Sequence, residues 1–255
     1  FFKSLAKLTA SFTPNFIFQL GVNDAVSLAN DLKKVSSNQN ELVVCPSFVS
    51  LVEVARILKR SKIKLGAQDC FWETKGAYTG EVSPVELREV GCEYVIIGHS
   101  ERREHFKESD KMVHQKIKAV LAAGLTPIIC VGETFDQRSQ GATDYVLIRQ
   151  TINALEGAEV KFGKRIIIAY EPVWVIGTGQ AISPEQASLA HQVIRQTLFD
   201  LFPAEQVKRD FLIIYGGSVD SSNVSSFTRL DNIDGVLVGA ASVRTQDFLA
   251  LIKSV

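Results

Sequence analysis

Short runs of consecutive apolar, mostly β-branched residues recur along the chain. Each is followed by a longer stretch whose apolar positions have helical spacing. The runs cover residues 41–45, 63–68, 94–97, 126–131, 165–170, 211–215 and 235–238. A parallel strand buried on both faces needs such continuity, whereas a one-sided antiparallel strand alternates. Between the runs, Met112, Val113, Ile117, Val120 and Leu121 line one side of a helix predicted over 110–123. Gly91, Gly124 and Gly163 each precede the next strand, where helix-terminating glycines stand. A weaker run at 11–16 makes eight, although Pro14 within it cannot donate a ladder hydrogen bond. Alternating strands and helices leave a closed barrel or an open doubly wound sheet. No G-x-G-x-x-G follows the first strand, which counts against the dinucleotide-binding version.

The length, 255 residues, is usual for a single (β/α)8 barrel. Without a linker or low-complexity tract, residues 1–255 read as one α/β domain. Hydrophobic residues make up 46% of the chain, enough for a substantial core. Lys and Arg together number 28, as do Asp and Glu. That balance argues against nucleic acid or an anionic membrane as main partner. A small anionic substrate stays open, because a few backbone amides can hold it. Cys45, Cys70, Cys92 and Cys130 show no metal-ligand spacing and read as buried free thiols of a reducing compartment. No apolar run approaches the ~20 residues of a membrane span, and the first residues lack a signal-peptide core. A cytoplasmic location is expected.

The suggestive polar residues follow predicted strand ends. His99 follows Tyr94-Val95-Ile96-Ile97-Gly98, Glu171 follows Ile166-Ile167-Ile168-Ala169-Tyr170, and Ser218 follows the strand ending at Tyr215. In a barrel those ends converge on the face that carries active sites. Taken alone, such a histidine is more often a capping or core residue, and a glutamate before proline is commonly a loop carboxylate. Their case strengthens because an apolar segment from Pro172 to Gly179 follows the glutamate, with a glycine-rich end at Gly177. An apolar surface loop is costly unless it closes over something, so it reads as a lid. Gly216-Gly217-Ser218 and Gly239-Ala240, after the last two strands, suggest a phosphate site.

Four segments in combination resemble the triosephosphate isomerase family: G-A-Y-T-G-E at 76–81, G-H-S-E-R-R at 98–103, A-Y-E-P-V-W at 169–174 and Y-G-G-S-V at 215–219. The resemblance runs from Asn15 to about Val243. It implies interconversion of dihydroxyacetone phosphate and glyceraldehyde 3-phosphate in glycolysis and gluconeogenesis, with no metal or organic cofactor. It also implies a homodimer built around Gly76-Ala77-Tyr78-Thr79-Gly80. Glu171 would be the base and His99 a neutral imidazole polarising the carbonyl. That family is itself the standing illustration of this pairing, so the roles come from the resemblance. Glu101 would match the carboxylate beside the histidine, Cys130 the buried cysteine near the base, and Asn15 the first-loop asparagine. Gly177, Ser218, Gly239 and Ala240 would lie along the bound substrate.

The resemblance breaks at Ile17, which stands where the family carries a lysine. Ala240 replaces a glycine of the last phosphate turn, and Val175 a smaller alanine of the lid. A preorganised charge donor is typically worth ~10²–10³ in rate. Strongly reduced isomerase activity is therefore expected. The competing readings are an inactive barrel homologue with a binding or structural role, and a different barrel enzyme acting on a phosphorylated metabolite.

Overall fold

The computed structural model of the chain describes residues 12–16, 20–34, 40–178 and 180–255, and of 12–16 the backbone alone. Strands β1 (Phe12–Phe16), β2 (Glu41–Cys45), β3 (Lys64–Ala67), β4 (Tyr94–Ile97), β5 (Thr126–Val131), β6 (Ile166–Tyr170) and β7 (Phe211–Tyr215) lie side by side in chain order. All neighbouring pairs are parallel. The connections carry helices α1 (Val22–Leu32), α2 (Phe48–Leu58), α3 (Pro84–Val90), α4 (Ser100–His105), α5 (Asp110–Ala122), α6 (Phe135–Ser139) and α7 (Thr143–Leu155). After β6 come α8 (Pro184–Leu201), α9 (Ala204–Asp210), α10 (Val224–Thr228) and α11 (Thr245–Lys253).

Strands β4 and β6 are buried at every position, as continuous apolar runs require. Alternate residues serve two cores. Val43, Cys45, Ile96, Ile128, Cys130, Ile167, Ala169 and Ile214 pack together on the inside of the curled sheet. Their neighbours Val44, Val95, Ile97, Ile129, Ile168 and Ile213 join the larger core beneath the helices. A period of two that fills both faces is what a barrel wall demands. The first and last units meet: α1 packs on α11, and β1 lies against the 3-10 turn Ala240–Val243. The architecture is an α/β barrel of the (β/α)8 class. Among the described residues, no helix is long and apolar enough to cross a membrane.

Three local expectations need amendment. Pro14 does not interrupt β1; it sits in register opposite Val43. A strand residue sends its N–H to one neighbour only, so proline forfeits at most one ladder bond. The run at 235–238 joins β7 through the single bridge Tyr215–Val236, flanked by Tyr215 N–H to Gly235 O (3.0 Å) and Leu237 N–H to Tyr215 O (2.8 Å). Gly91 and Gly124 follow helix ends in left-handed backbone, at φ +107° and +76°. Gly163 shares that backbone, at φ +87°, but ends no helix, because α7 already ends at Leu155. Its N–H is instead held by the Asp210 carboxylate at 2.8 Å, in the turn before β6.

Candidate active site

Strand β4 delivers the histidine. Gly98, at φ +74°, turns the chain out of the strand so that His99 becomes the N-cap of α4. Only glycine takes that backbone without strain. The cap is made by the ring itself: His99 Nδ1 accepts the Glu101 N–H at 3.3 Å. A nitrogen that accepts carries no proton, which assigns the proton of the neutral ring to Nε2.

Strand β6 delivers the carboxylate. Glu171, 1% exposed, donates its N–H to Val131 O on β5 (2.8 Å), and Gly216 N–H reaches Tyr170 O (2.8 Å) from the other side. Two glycines allow this closeness. A Cβ on Gly132 would stand 1.7 Å from Glu171 O, and one on Gly216 2.9 Å from Glu171 Cγ. Glu171 Oε2 accepts the Ser100 N–H at 3.1 Å, at the start of α4. His99 Nε2 stands 3.1 Å from Oε1. Beyond this close pairing with the ring, Oε1 has no hydrogen-bond partner among the described residues. The result is a buried carboxylate with one oxygen anchored and the other uncommitted.

Burial of His99 disfavours its imidazolium, but the nearby carboxylates of Glu171, Glu101 and Glu108 outweigh it, so its pKa lies above the ordinary value. The Glu101 N–H works against that shift, since it can donate only to a deprotonated Nδ1. Glu101 itself lies 3.9 Å from Nδ1 and is partly exposed. The Cys130 thiol is held well above its usual pKa by burial, with Glu171 adding to the effect. It is an inert neighbour of that carboxylate.

The segment after Glu171 is folded against the barrel as a 3-10 turn, Val173–Val175, with Val175 buried. Its anchor is Glu133, fully buried just past β5. That carboxylate accepts the Tyr170 hydroxyl at 3.3 Å and the Trp174 indole N–H at 3.0 Å. Arg138 lies 3.7 Å from it and stacks its guanidinium 4.5 Å from the centre of the Trp174 ring. Burial, then Glu133, pushes the Tyr170 hydroxyl pKa up, which keeps it a donor. Gly177 follows, exposed and at φ +74°.

The two glycine turns sit side by side, because the Tyr215–Val236 bridge joins the elements that precede them. The Ser218 carbonyl accepts from Asn223 Nδ2 at 3.3 Å, and the next helix, α10, begins only at Val224. The Gly239 carbonyl is occupied by Ser242, through its N–H (2.9 Å) and hydroxyl (2.7 Å). Ala240 opens the 3-10 turn beside it. Of the first loop, Asn15 is placed by its backbone opposite Val44. Ile17 and Gly179 lie outside the described residues.

The structure thus brings His99, Glu171 and Glu101 together. It adds Ser100, Gly132, Glu133 and Arg138, which sequence reasoning did not single out, and gives Gly216, read there as part of a phosphate turn, a second place against Glu171. Glu133 had a readable signal, since it stands just past a strand end like the two residues that were found. Gly132 had none, because close backbone approach leaves no mark in one chain's pattern.

The triosephosphate isomerase family model matches residues 15–255. The triosephosphate isomerase of Caldanaerobacter subterraneus subsp. tengcongensis is 47% identical over 235 residues, covering 91% of this chain and 93% of that one. That of Endomicrobium trichonymphae is 46% identical over 236 residues, with 91% and 93% covered. The crystal structure of the Bartonella henselae triosephosphate isomerase superimposes with a TM-score of 0.86 at 33% identity, over 96% of this chain and 98% of that one. Barrel, site geometry and similarity along nearly the whole length agree, and the chain belongs to the triosephosphate isomerase family.

Proposed function

We propose that the chain interconverts dihydroxyacetone phosphate and glyceraldehyde 3-phosphate in the cytoplasm, at a rate held down by Ile17. The observation that carries this reading is the buried Glu171 carboxylate, anchored through Oε2 and uncommitted at Oε1, beside a histidine with its proton on Nε2. Oε1 removes a proton from one substrate carbon and returns it to the adjacent one. His99 Nε2–H donates to the carbonyl oxygen on which charge develops. When substrate separates Oε1 from the ring, the carboxylate's pull on the imidazole weakens while the Glu101 N–H stays. The neutral ring is then the form facing substrate. The turns at Ser218 and Gly239–Ala240 supply backbone N–H groups for the phosphate, and the 172–178 segment closes over it.

Ile17 offers neither charge nor hydrogen bond where the family has an ammonium group. A missing preorganised donor lowers the rate by ~10²–10³. The test is turnover of glyceraldehyde 3-phosphate by the parent, by Ile17→Lys, and by Ile17→Lys combined with Ala240→Gly. Ile17→Lys should gain ~10²-fold or more, and Glu171→Gln in that background should abolish the gain. A parent that is already fast sinks the role given to Ile17. Folded variants with no turnover favour the second reading, an inactive barrel that kept its site, for which Ile17 is the one argument.

We also propose a homodimer through the 76–80 loop. Tyr78 is 45% exposed there, with its ring 4.7 Å from that of Phe71. An aromatic tip held in place but uncovered suits insertion into a second copy.

A further inference from the structure

We infer that Gln150, on the outer helix α7, is a positioning residue that sets the base and the lid through the peptide groups of Gly132. This rests on the reading of Glu171 as the base. Helix α7 buries the stripe Val146, Leu147, Gln150, Thr151 and Ala154. Gln150 is therefore an amide at a position where packing alone calls for an apolar side chain. It is 7% exposed. Its Oε1 accepts the Gly132 N–H at 2.8 Å, and its Nε2 donates to the Gly132 carbonyl at 3.3 Å. Among the described residues no backbone group bonds Gly132, because β5 has ended one residue earlier. The side-chain amide thus supplies, from the helix layer, the donor and acceptor that a neighbouring strand would supply. A side-chain amide offers both in one plane, without charge and without depending on a protonation state.

What Gly132 touches gives this bond its consequence. Its α-carbon abuts the Glu171 carbonyl so closely that a Cβ would lie 1.7 Å away. The residue before it, Val131, accepts the Glu171 N–H, and the residue after it, Glu133, accepts the Val173 N–H (3.1 Å). Glu133 also holds the Trp174 indole. Gln150 thus reaches the base along one side of Gly132 and the lid along the other, without touching substrate.

The experiment replaces Gln150 by Leu, which removes both bonds, and by Glu, which keeps the acceptor for the Gly132 N–H. Two readouts are taken. The first is the Trp174 indole N–H resonance and its exchange with solvent, assigned by comparison with Trp72→Phe; it needs no turnover. The second is kcat and KM in the Ile17→Lys background. In Gln150→Leu the indole N–H should shift and exchange at least ~10-fold faster. Its kcat should fall ~10–10²-fold, the scale of a sub-ångström to ångström displacement of a base, with KM changed less than ~3-fold. Gln150→Glu should lie between parent and Leu on both, and it serves alone if Leu does not fold. An indole signal that superimposes on the parent's overturns the inference, as does a shifted indole with unchanged kcat. If the Ile17→Lys background has no turnover, the proposed isomerase reading fails, while the indole arm still decides whether Gln150 holds Glu133 and the lid.

Discussion

Gly132→Ala adds one methyl group at the tightest point of the site. The new Cβ would meet Glu171 O at 1.7 Å and Glu171 C at 2.6 Å, where ordinary contact begins at 3.4 Å. Both atoms are backbone, so no side chain can swing aside. The ends of β5 and β6 must part by on the order of 1 Å, which strains the 2.8 Å bond from Glu171 N–H to Val131 O. Overpacking of this kind costs about 1–3 kcal/mol, and a lost backbone hydrogen bond about 1 kcal/mol more. A base moved that far loses ~10² in rate. The expected result is a fall in the urea midpoint equivalent to ~3 kcal/mol. In the Ile17→Lys background it comes with a ~10²-fold drop in kcat at nearly constant KM. Gly21→Ala, whose added methyl meets nothing closer than 3.8 Å, is the control. If Gly132→Ala keeps both parent stability and parent kcat, the packing account of how Glu171 is held is wrong.

Lys116→Met should cost about 3 kcal/mol in urea unfolding. The buried ammonium group pairs with Asp69 (2.7 Å) and Glu108 (3.0 Å), and its loss leaves, among the described residues, Arg102 alone, at 2.8 and 2.7 Å, to balance both carboxylates. A variant as stable as the parent would mean that the cluster is not coupled to folding. Burial pushes the pKa of His191 from 6.5 down to about 3, so the folded state keeps it neutral while the unfolded chain protonates it. Stability contributed by this residue is present above pH 6.5 and lost as pH falls toward 3, ~2 kcal/mol of it by pH 5. His191→Leu should flatten the fall in urea midpoint between pH 7 and pH 5, and an unchanged slope would refute the assignment. Sedimentation at micromolar concentration should give a dimer that Tyr78→Asp converts to monomer, and a monomeric parent would sink the proposed interface.

Sequence patterning located the strands within a residue or two, because burial on both faces forces a continuous apolar run. β2, β4, β5 and β7 begin and end where the runs do. The run at 235–238 follows the same rule, and among the described residues it pairs with β7 through the Tyr215–Val236 bridge. The pairing of His99 with Glu171 was legible because both follow strand ends and a barrel gathers those ends. What holds them was not. The Glu101 N–H on Nδ1, the Ser100 N–H on Oε2 and the close approach of Gly132 are backbone events. They depend on neighbouring strand ends rather than on the residues flanking each group. Gln150 falls between these cases. A lone amide on the buried stripe of an amphipathic helix can be read from the sequence, but its partner, a peptide group beyond a strand end, can be read only from the fold.

Glu171 Oε1 faces the His99 ring at 3.1 Å and has no other partner among the described residues. A buried carboxylate oxygen without a hydrogen bond is unfavourable by the desolvation of a charged acceptor, and folding tolerates it only where everything around it is fixed. Here the other oxygen, the backbone N–H and the flanking strands are each held by a separate element: α4, β5 and the turn after β7. The Glu171 carboxylate, the His99 imidazole and the Glu133 anchor are assembled from β4 through the turn after β7, so under the proposed reading Ile17→Lys should change turnover without disturbing how these groups are held. A single lysine restored there would enter a site whose other parts are already in place. This is why one substitution, rather than a series, is the fitting test of descent from an active isomerase.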